Sequence, residues 1–357
     1  MATINDVAKL AGVSRSTVSR AFNSDTSIKQ TTKEKVMLAA QKLGYTPSLS
    51  ARGLAINKKF VIGLFMTRVH EDASTYFSTI ISAVNEMLPS EYLLSIVNIA
   101  SLQQNNEIIN DRFDGGIVFS QSESDNPIIE KLIALHIPTA VVLRKFNNYS
   151  VDNVYANEKQ AMKDVINYVS KMGHQKIGFI NGSANFTSSK VRREGLLEAV
   201  LKNHMILSSE VDKQGEFSLD SGEKLMSQII EMPSNLLPTC VICASDDIAL
   251  GALKACHGAH FKLPQKISIT GYDDIPYSQI TSPSLTTVVN PLRKMAKKGM
   301  EFLMYRIKNP DTKRQSFEAT PSLLIRNSVK KYPKIINCFF NSGTNWYEEI
   351  LILQRRK

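Results

Sequence analysis

The sequence predicts a mixed α/β protein in which a small helical head precedes a larger core of parallel sheets. Residues 3–22 read as two short helices joined by a glycine turn. From residue 60 onward, apolar runs of strand length alternate with segments of helical spacing, an order typical of parallel α/β folds. At 357 residues, the chain is long enough for two or three packed units.

The first predicted helix can be capped by Asp6 and ends at Gly12, because glycine reaches a positive φ at little cost. Its apolar face comprises Val7, Ala8, Leu10 and Ala11. A third helix is predicted from Thr32 to Leu43, with Gly44 as its stop. We expect the core of the head to form around four apolar side chains: Val7, Val18, Leu38 and Leu43.

The second helix can be capped by Ser14 and buries Val18 and Phe22, which lie four residues apart. Its other faces are small, hydrogen-bonding and basic, and they carry Arg15, Ser16, Thr17, Ser19 and Arg20. Such a helix suits the major groove of DNA, because arginine reaches guanine edges and hydroxyl groups reach phosphates. Two helices around a glycine turn also occur in proteins that never bind DNA, so the pattern alone leaves a purely structural role open.

The positive charge of the chain is concentrated in its first 59 residues. They hold 10 lysines and arginines against 3 acidic residues, a balance of +7, whereas all later residues together contribute +3. A basic head on a nearly neutral body indicates a DNA-binding module attached to a sensor or oligomerisation domain. The sequence shows no secretory signal, no membrane-spanning run and no disulfide-rich pattern, so we expect a cytoplasmic protein without a membrane partner.

Two series of alternating elements are predicted after residue 60. The first series comprises strands at Phe60–Phe65, Tyr92–Ile99, Phe113–Phe119 and Pro138–Leu143, with helices at Tyr76–Leu88 and Ile128–Leu135. The second comprises helices at Lys159–Met172, Val191–Asn203, Ser221–Glu231, Ile248–Cys256 and Leu292–Ile307, with strands at Ile177–Ile180, Cys240–Ala244 and Ile267–Tyr272. In folds of this kind, ligands bind beyond the carboxyl ends of the strands.

The run Thr3-Ile4-x-Asp6-Val7-Ala8-x-x-Ala11-Gly12-Val13-Ser14-x-x-Thr17-Val18-Ser19-Arg20 resembles the N-terminal signature of the LacI/GalR family of bacterial transcription repressors. Ala51-Arg52-x-Leu54 resembles the core of that family's hinge helix, and Gly271-Tyr272-Asp273-Asp274 resembles a motif of its core. The resemblance covers roughly residues 2–330. It implies a three-helix head, a hinge helix and a two-lobed, periplasmic-binding-protein-like core of parallel sheets.

By that resemblance, residues 1–46 form the helix-turn-helix domain, residues 47–59 the hinge and residues 60–331 the core. Lobe one of the core takes about 60–157 and 290–320, and lobe two takes about 158–289 and 321–331. Residues 332–357 have no counterpart in the family, and they lack the leucine heptad of a tetramerisation coiled coil.

The resemblance also implies a homodimer whose two heads bind half-sites of a near-palindromic operator. The implied DNA-binding residues are Thr3, Ser14, Arg15, Ser16, Thr17, Ser19, Arg20, Asn23, Ala51 and Leu54. Leu54 is expected to wedge between base pairs in the minor groove, which costs unstacking energy but bends the DNA onto more protein surface. The alternative for Leu54 is a plain linker residue that packs on the core.

The resemblance further implies a small-molecule effector in the cleft between the lobes, and a sugar or sugar phosphate is favoured over a purine-like corepressor. Arg192 and Asp273 are expected to hydrogen-bond its hydroxyl groups, and Phe217 to cover an apolar face of a sugar ring. The other candidates for lining the effector are Tyr76, Phe77, Ser188, Ser245 and Asp246. Arg192 and Asp273 could instead form a structural ion pair, and the two aromatic residues at 76 and 77 could pack in the core.

Two other classes of function are weighed against a repressor. An enzyme would need a site, and the sequence contains no Walker-type phosphate loop and none of the motifs G-x-G-x-x-G, G-x-S-x-G and H-E-x-x-H. Cys240 and Cys243, with His257 and His260, could suggest a zinc site, but the two cysteines fall on a predicted strand, where positions i and i+3 face opposite sides, so no zinc site is expected. No cofactor is expected. A free-standing sugar-binding protein would lack the basic head and would carry an export signal.

Overall fold

The structure is a computed structural model that describes residues 2–22, 28–45, 58–67, 75–105, 112–147 and 151–333. The chain divides into two compact units: unit 1 comprises Met1–Ala156 and Leu292–Ala319, and unit 2 comprises Asn157–Pro291 and Thr320–Lys357. The predicted fold class, a helical head followed by parallel α/β sheets, is confirmed. Within the described ranges, no helix is both long and apolar enough to cross a membrane.

The head consists of helices α1 (Ile4–Ala11), α2 (Arg15–Phe22) and α3 (Gln30–Lys42). Thr3 is the N-cap of α1, and Asp6 completes a capping box by accepting a hydrogen bond from the Thr3 backbone at 2.8 Å. Asp6 therefore takes part in the cap from the third helical position and is not the N-cap residue itself. Gly12 ends α1 with a φ of 67°, as the turn requires.

Two leucines of the head lie at the surface, contrary to the prediction. The buried side chains of the head are small or β-branched: Val7, Ala8, Val18, Ala21, Val36, Ala39 and Ala40. Leu38 is 58% exposed and Leu10 is 52% exposed, so their expected places in the core and on the apolar face were wrong. Helix α3 turns Val36 inward, and position 38 then points to the opposite side because two residues span about 200° of the helix.

The rest of the chain alternates strands and helices. Before residue 200 the elements are β1 (Val61–Met66), α4 (Thr75–Met87), β2 (Leu93–Asn98), α5 (Ile99–Asn105), β3 (Gly115–Phe119), α6 (Asn126–Ala134), β4 (Thr139–Leu143), β5 (Asp152–Ala156), α7 (Glu158–Lys171), β6 (Lys176–Asn181) and α8 (Thr187–Lys202). After it come β7 (Ile206–Gln214), α9 (Leu219–Ile230), β8 (Cys240–Cys243), α10 (Asp246–Gly258), β9 (Ser268–Thr270), β10 (Thr287–Val289), α11 (Leu292–Lys308), β11 (Ser316–Ala319) and β12 (Ser322–Leu324).

Each unit is built on a parallel sheet. Unit 1 has six strands in the order β11-β5-β4-β3-β1-β2, and unit 2 has four in the order β7-β6-β8-β9. Strands β10 and β12 form a separate antiparallel pair. The buried strands β1, β3, β4, β6 and β8 lie where apolar runs predicted them, whereas β5, β7 and β11 were not predicted. The edge strand β7 has mostly half-buried and exposed side chains, so it lacks the apolar signal.

Candidate functional site

Helix α2 presents a basic, hydrogen-bonding surface because its apolar side chains are used by the core of the head. Val18 and Ala21 are 0% and 1% exposed, whereas Arg15, Ser16 and Arg20 are exposed to solvent. The two arginines are the long side chains of this outer surface. A short helix with this arrangement can enter the major groove with its hydroxyl and guanidinium groups directed at DNA.

Two of the predicted DNA-binding hydroxyl groups already serve as parts of helix caps. Oγ of Ser14 accepts a hydrogen bond from the backbone N–H of Thr17 at 3.1 Å, and Oγ1 of Thr3 donates to Asp6 at 2.7 Å. Thr17 and Ser19 are half-buried. The three remaining predictions, Asn23, Ala51 and Leu54, lie outside the described residues.

A second polar cluster lies at the carboxyl edge of the unit 2 sheet. Strand β8 is followed by the carbonyl of Ala244, β9 is followed by the loop that carries Asp273, and α8 carries Arg192 after β6. Because the carboxyl ends of parallel strands share one edge, these groups meet there. We call Arg192, Glu158, Asp273 and Asn290 the Arg192 cluster.

The guanidinium group of Arg192 is buried and held on several sides. Nε and Nη2 donate to Oε1 of Glu158 at 3.1 and 2.5 Å, and Nη1 donates to the carbonyl oxygen of Ala244 at 2.5 Å. Its Cζ lies 3.7 Å from the centre of the Tyr272 ring, and Nη2 lies 3.9 Å from Oδ1 of Asp273. Burial acts to lower the pKa of Arg192, but the charges of Glu158 and Asp273 outweigh burial, so the pKa is raised.

The carboxyl group of Asp273 is the second acidic group of this cluster. Its side chain is 16% exposed, and Oδ1 accepts a hydrogen bond from Nδ2 of Asn290 at 3.0 Å. Burial raises the pKa of Asp273 to about 7, although the neighbouring Arg192 acts to lower it. The backbone of Asp273 has a φ of 120°, a strained conformation that is typical of functional loops.

Phe217 is the aromatic residue of the same edge. Its ring stacks on Phe186 at a centroid distance of 5.8 Å, and Cζ of Arg192 lies 5.8 Å from its centre. The ring also lies against Gly182, where a Cβ atom would come within 2.3 Å of it, so residue 182 must be glycine for the ring to occupy this place. Ser188 lies on the first turn of α8 and is half-buried.

Asp246 and Ser245 have partners in the protein. Asp246 is 0% exposed and accepts hydrogen bonds from Oγ1 of Thr287 at 2.5 Å and from the backbone N–H of Ile275 at 2.9 Å. Burial raises the pKa of Asp246 to about 6. Ser245 caps α10 by accepting from the N–H of Ile248 at 3.2 Å. These contacts hold the loops of unit 2 in place, and contact of either residue with an effector stays a prediction.

Tyr76 and Phe77 belong to the other unit and begin α4. Both rings are half-buried and pack against the apolar core of unit 1. The structure therefore brings together Arg192, Asp273 and Phe217, whereas the role predicted for Tyr76 and Phe77 stays a prediction.

Two residues of the Arg192 cluster were not predicted from the sequence. Glu158 starts α7 and Asn290 follows β10, so each lies 17 residues or more from its partner in the chain. The available signal was a polar residue immediately after an apolar strand, which describes Asn290 after Thr287–Val289. Cys240 and Cys243 lie in β8 and are fully buried, and the described residues contain no cluster of His, Cys, Asp or Glu able to hold a metal ion.

Two family models match the chain. Residues 3–48 match "Bacterial regulatory proteins, lacI family", and residues 166–329 match "Periplasmic binding protein-like domain". The chain is 35% identical over 332 residues to the probable HTH-type transcriptional repressor ExuR of Bacillus subtilis, a match that covers 93% of this chain and 99% of the relative. It is 34% identical over 343 residues to the HTH-type transcriptional repressor PurR of Actinobacillus pleuropneumoniae serotype 3, with 94% and 100% covered.

Solved structures show the same fold. A lac repressor dimer bound to operator and the anti-inducer ONPF matches with a TM-score of 0.78 at 24% identity, over 92% of this chain and 99% of that one. A complex of the transcriptional regulator CelR with cellobiose matches with a TM-score of 0.68 at 23% identity, over 92% and 100%.

Proposed function

The chain belongs to the lacI family of bacterial regulatory proteins and is a DNA-binding transcription repressor of that type, and we propose that a sugar or sugar phosphate controls it. The Arg192 cluster carries this proposal. It offers a buried guanidinium and a carboxyl group 3.9 Å apart, beside the ring of Phe217, at the carboxyl edge of a parallel sheet. Directional donors and acceptors beside an aromatic face suit a polyol.

One atom of the cluster provides a direct argument for a bound ligand. Oδ1 of Asn290 is shielded from water and has no hydrogen-bond partner among the residues that the structure describes. A buried acceptor without a partner is costly, and a hydroxyl group donated by a ligand would satisfy it. Because Nδ2 of Asn290 already donates to Asp273, the same hydroxyl group would also lie near that carboxyl group.

The DNA-binding part of the proposal rests on α2 and on the segment after α3. Arg15, Ser16 and Arg20 reach base edges and phosphates in the major groove, with Thr3, Ser14, Thr17, Ser19 and Asn23 completing the contacts. Ala51 and Leu54 contact the minor groove, where the leucine bends the operator. The segments at 23 and 51–54 are assigned by resemblance to the family.

We also assign a surface to the homodimer. Leu219, Tyr277 and Ile280 are 37%, 53% and 74% exposed, and they line a depression of about 550 Å³ in unit 2 with Asp247, Leu250 and Thr281. Large apolar side chains grouped on a surface favour burial against a partner. We assign this surface to a second copy of the chain, because a near-palindromic operator is bound by two heads.

Control by the effector requires unequal binding. A ligand changes the affinity for DNA only if it binds the DNA-competent and the DNA-incompetent states with different affinities. In this protein, a conformational change in the ligand-binding loops of unit 2 must therefore change the conformation of the segment that leads to the head.

The test uses the purified full-length chain and an operator duplex selected from random DNA. Thermal unfolding is followed against a panel of sugars, sugar phosphates and nucleobases, since a ligand that binds the folded state raises the melting temperature. Each ligand that does so is then added to an operator-binding titration. A sugar or sugar phosphate that shifts both is the expected result. A nucleobase as the only active class would overturn the proposed effector and leave the repressor assignment intact.

A further inference from the structure

The amino edge of the unit 2 sheet carries three exposed apolar side chains. Ile206 is the first residue of β7 and is 48% exposed. Leu201, at the end of α8, is 41% exposed, and Leu236, in the segment that leads to β8, is 37% exposed. We call Leu201, Ile206 and Leu236 the amino-edge patch. Large apolar side chains grouped on a surface favour burial against a further segment.

Hydrogen bonds to the start of β6 bring the members of this patch together. The backbone N–H of Ile206 donates to the carbonyl oxygen of Gln175 at 2.7 Å. Nζ of Lys176 donates to the carbonyl oxygen of Asn235, the residue before Leu236. The third member lies in the last turn of α8, five residues before β7 begins. The three side chains therefore surround the point where β6 starts.

The described part of the chain leads to the same edge and stops there, at residue 333. Nε2 of His174 donates to the carbonyl oxygen of Lys330 at 2.9 Å, since a carbonyl oxygen can only accept. The backbone N–H of Tyr332 donates to the carbonyl oxygen of Met172 at 2.7 Å. The ring of Tyr332 also lies 5.5 Å from that of His174, measured between centroids. These contacts fix the origin of the following segment.

The segment 334–357 can reach the whole patch from this origin. Met172 holds Tyr332, Gln175 holds Ile206, and the three residues between these contacts span at most about 11 Å. The segment has 24 residues, which extend to about 80 Å when fully stretched. Its length therefore exceeds the distance to any member of the patch.

Residues 334–357 lie outside the described residues, and their composition favours burial. Eleven of the 24 are apolar, and four of these are aromatic. The apolar positions are 335, 336, 338–340, 346, 347 and 350–353. Segments that stay fully hydrated are poor in aromatic residues and rich in charge of one sign, whereas this segment has four basic and two acidic residues.

We propose that residues 334–357 pack on the amino-edge patch of their own chain, where their apolar side chains cover Leu201, Ile206 and Leu236. The chain's own segment is the favoured occupant because it starts beside the patch. Tethering gives such a segment an effective concentration on the order of mM, whereas a second copy or another protein must bind from solution. The patch shares no residue with the depression at Tyr277 and Ile280 that we assign to the homodimer.

Two natural probes report on the segment. Trp346 is the single tryptophan of the chain, so tryptophan fluorescence comes from this segment alone. Of the four cysteines, Cys240, Cys243 and Cys256 are fully buried in unit 2, and the fourth is Cys338. A thiol reagent added to the folded protein therefore reacts with Cys338 first.

The experiment measures both probes in the full-length protein and in the urea-unfolded chain. Packing predicts that the folded protein emits at shorter wavelength, is quenched less by acrylamide and reacts more slowly at Cys338. Ile206→Asp places a carboxylate where burial would leave it without a partner, so both probes should shift toward their values in urea. Leu201→Asp, on the neighbouring helix, should have the same effect and serves if the first variant fails to fold.

Ile325→Asp is the matched control. Ile325 is also an exposed isoleucine of unit 2, 56% accessible, and follows β12. The N–H of the next residue, Arg326, donates to Oγ1 of Thr286, whose carbonyl oxygen accepts from Gly271 directly after β9. Position 325 therefore lies toward the opposite, carboxyl edge of the sheet, and both probes should keep their wild-type values. Circular dichroism checks that each variant is folded.

Three outcomes would overturn the proposal. The first is a wild-type protein whose Trp346 and Cys338 are as accessible as in urea. The second is protection that persists in both Ile206→Asp and Leu201→Asp, or that Ile325→Asp reduces equally. The third is protection that appears only as copies associate, measured by repeating the experiment over a range of concentrations beside analytical ultracentrifugation. That result would assign the patch to the segment of a second copy.

Discussion

Arg192 donates two hydrogen bonds to a single oxygen of Glu158, through Nε at 3.1 Å and Nη2 at 2.5 Å. The two residues are 34 positions apart in the chain, and both side chains are almost fully buried. The guanidinium is thus oriented and neutralised before any ligand arrives. Asp273, 3.9 Å from Nη2, is left as the carboxyl group with the freedom to accept or donate hydrogen bonds.

Replacing Asp273 by asparagine should remove the response to the effector and spare DNA binding. Asparagine keeps the size of the side chain and tolerates the positive φ of 120° better than alanine does. Loss of a hydrogen bond to a charged group should lower the affinity for the effector by about tenfold or more. Titration of effector and of operator DNA on the same preparation checks both parts. Equal loss of operator affinity would contradict a role confined to the effector. Asp273→Ala is expected to abolish the response as well.

The stability of the protein should depend on pH through Asp273. Its pKa is raised from the ordinary 3.8 to about 7 by burial, so between these values the folded protein holds a proton that the unfolded chain releases. This contribution to stability is complete below pH 3.8 and is lost as the pH rises through about 7.

The measurement compares the melting temperature of the wild type with that of Asp273→Asn across this pH range. Asp246, whose pKa is raised to about 6, titrates in both proteins, so its effect largely cancels in the difference. The wild type should lose stability relative to the variant as the pH rises. A difference that is constant over pH would show that the carboxyl group keeps its ordinary pKa.

Removal of Glu158 should destabilise unit 2. Glu158→Ala leaves the buried guanidinium of Arg192 with the more distant Asp273 as its carboxylate partner, and breaking a buried ion pair costs about 3 kcal/mol of unfolding free energy. Urea denaturation measures the change. The control is Glu223→Ala, which breaks the exposed pair with Lys254 and should cost much less than Glu158→Ala, because solvent screens an exposed ion pair. Similar values for the two variants would refute the structural role of Glu158.

Leu54→Ala should weaken binding to the operator while effector binding stays intact. The prediction rests on the resemblance of Ala51-Arg52-x-Leu54 to the family's hinge helix, since this segment lies outside the described residues. Loss of an apolar wedge should reduce operator affinity by about tenfold at fixed salt. Fluorescence anisotropy with a labelled duplex measures it, and an unchanged affinity would favour the plain linker instead.

Ile280→Asp should convert the proposed homodimer into a monomer. Ile280 is 74% exposed beside Tyr277, and a carboxylate placed in an apolar contact between two copies would be buried without a partner. Analytical ultracentrifugation over a range of concentrations gives the dimer dissociation constant. Leu236, which is 37% exposed in the same unit and does not line the depression, provides a control in Leu236→Asp. Dimers that persist in Ile280→Asp would place the interface elsewhere.

The local pattern of the sequence determined the elements whose signal is local. The glycine turn, the cap at Ser14 and the apolar side of α2 are set within a few residues, so this helix could be predicted. The buried parallel strands were equally visible, because both of their faces are apolar. Arg192, Asp273 and Phe217 were named from motifs of the family, and the structure brings these three together.

Tertiary structure alone decided which side chains meet. Leu38 has the composition of a core residue but lies on the outer side of α3, because the small inner face of the head is filled by Val36, Ala39 and Ala40. Glu158 became the partner of Arg192 because helices α7 and α8 pack side by side. The spacing of apolar residues shows which face of a helix or strand is buried, but it does not show which other element packs there. That pairing depends on register and packing between segments far apart in the chain.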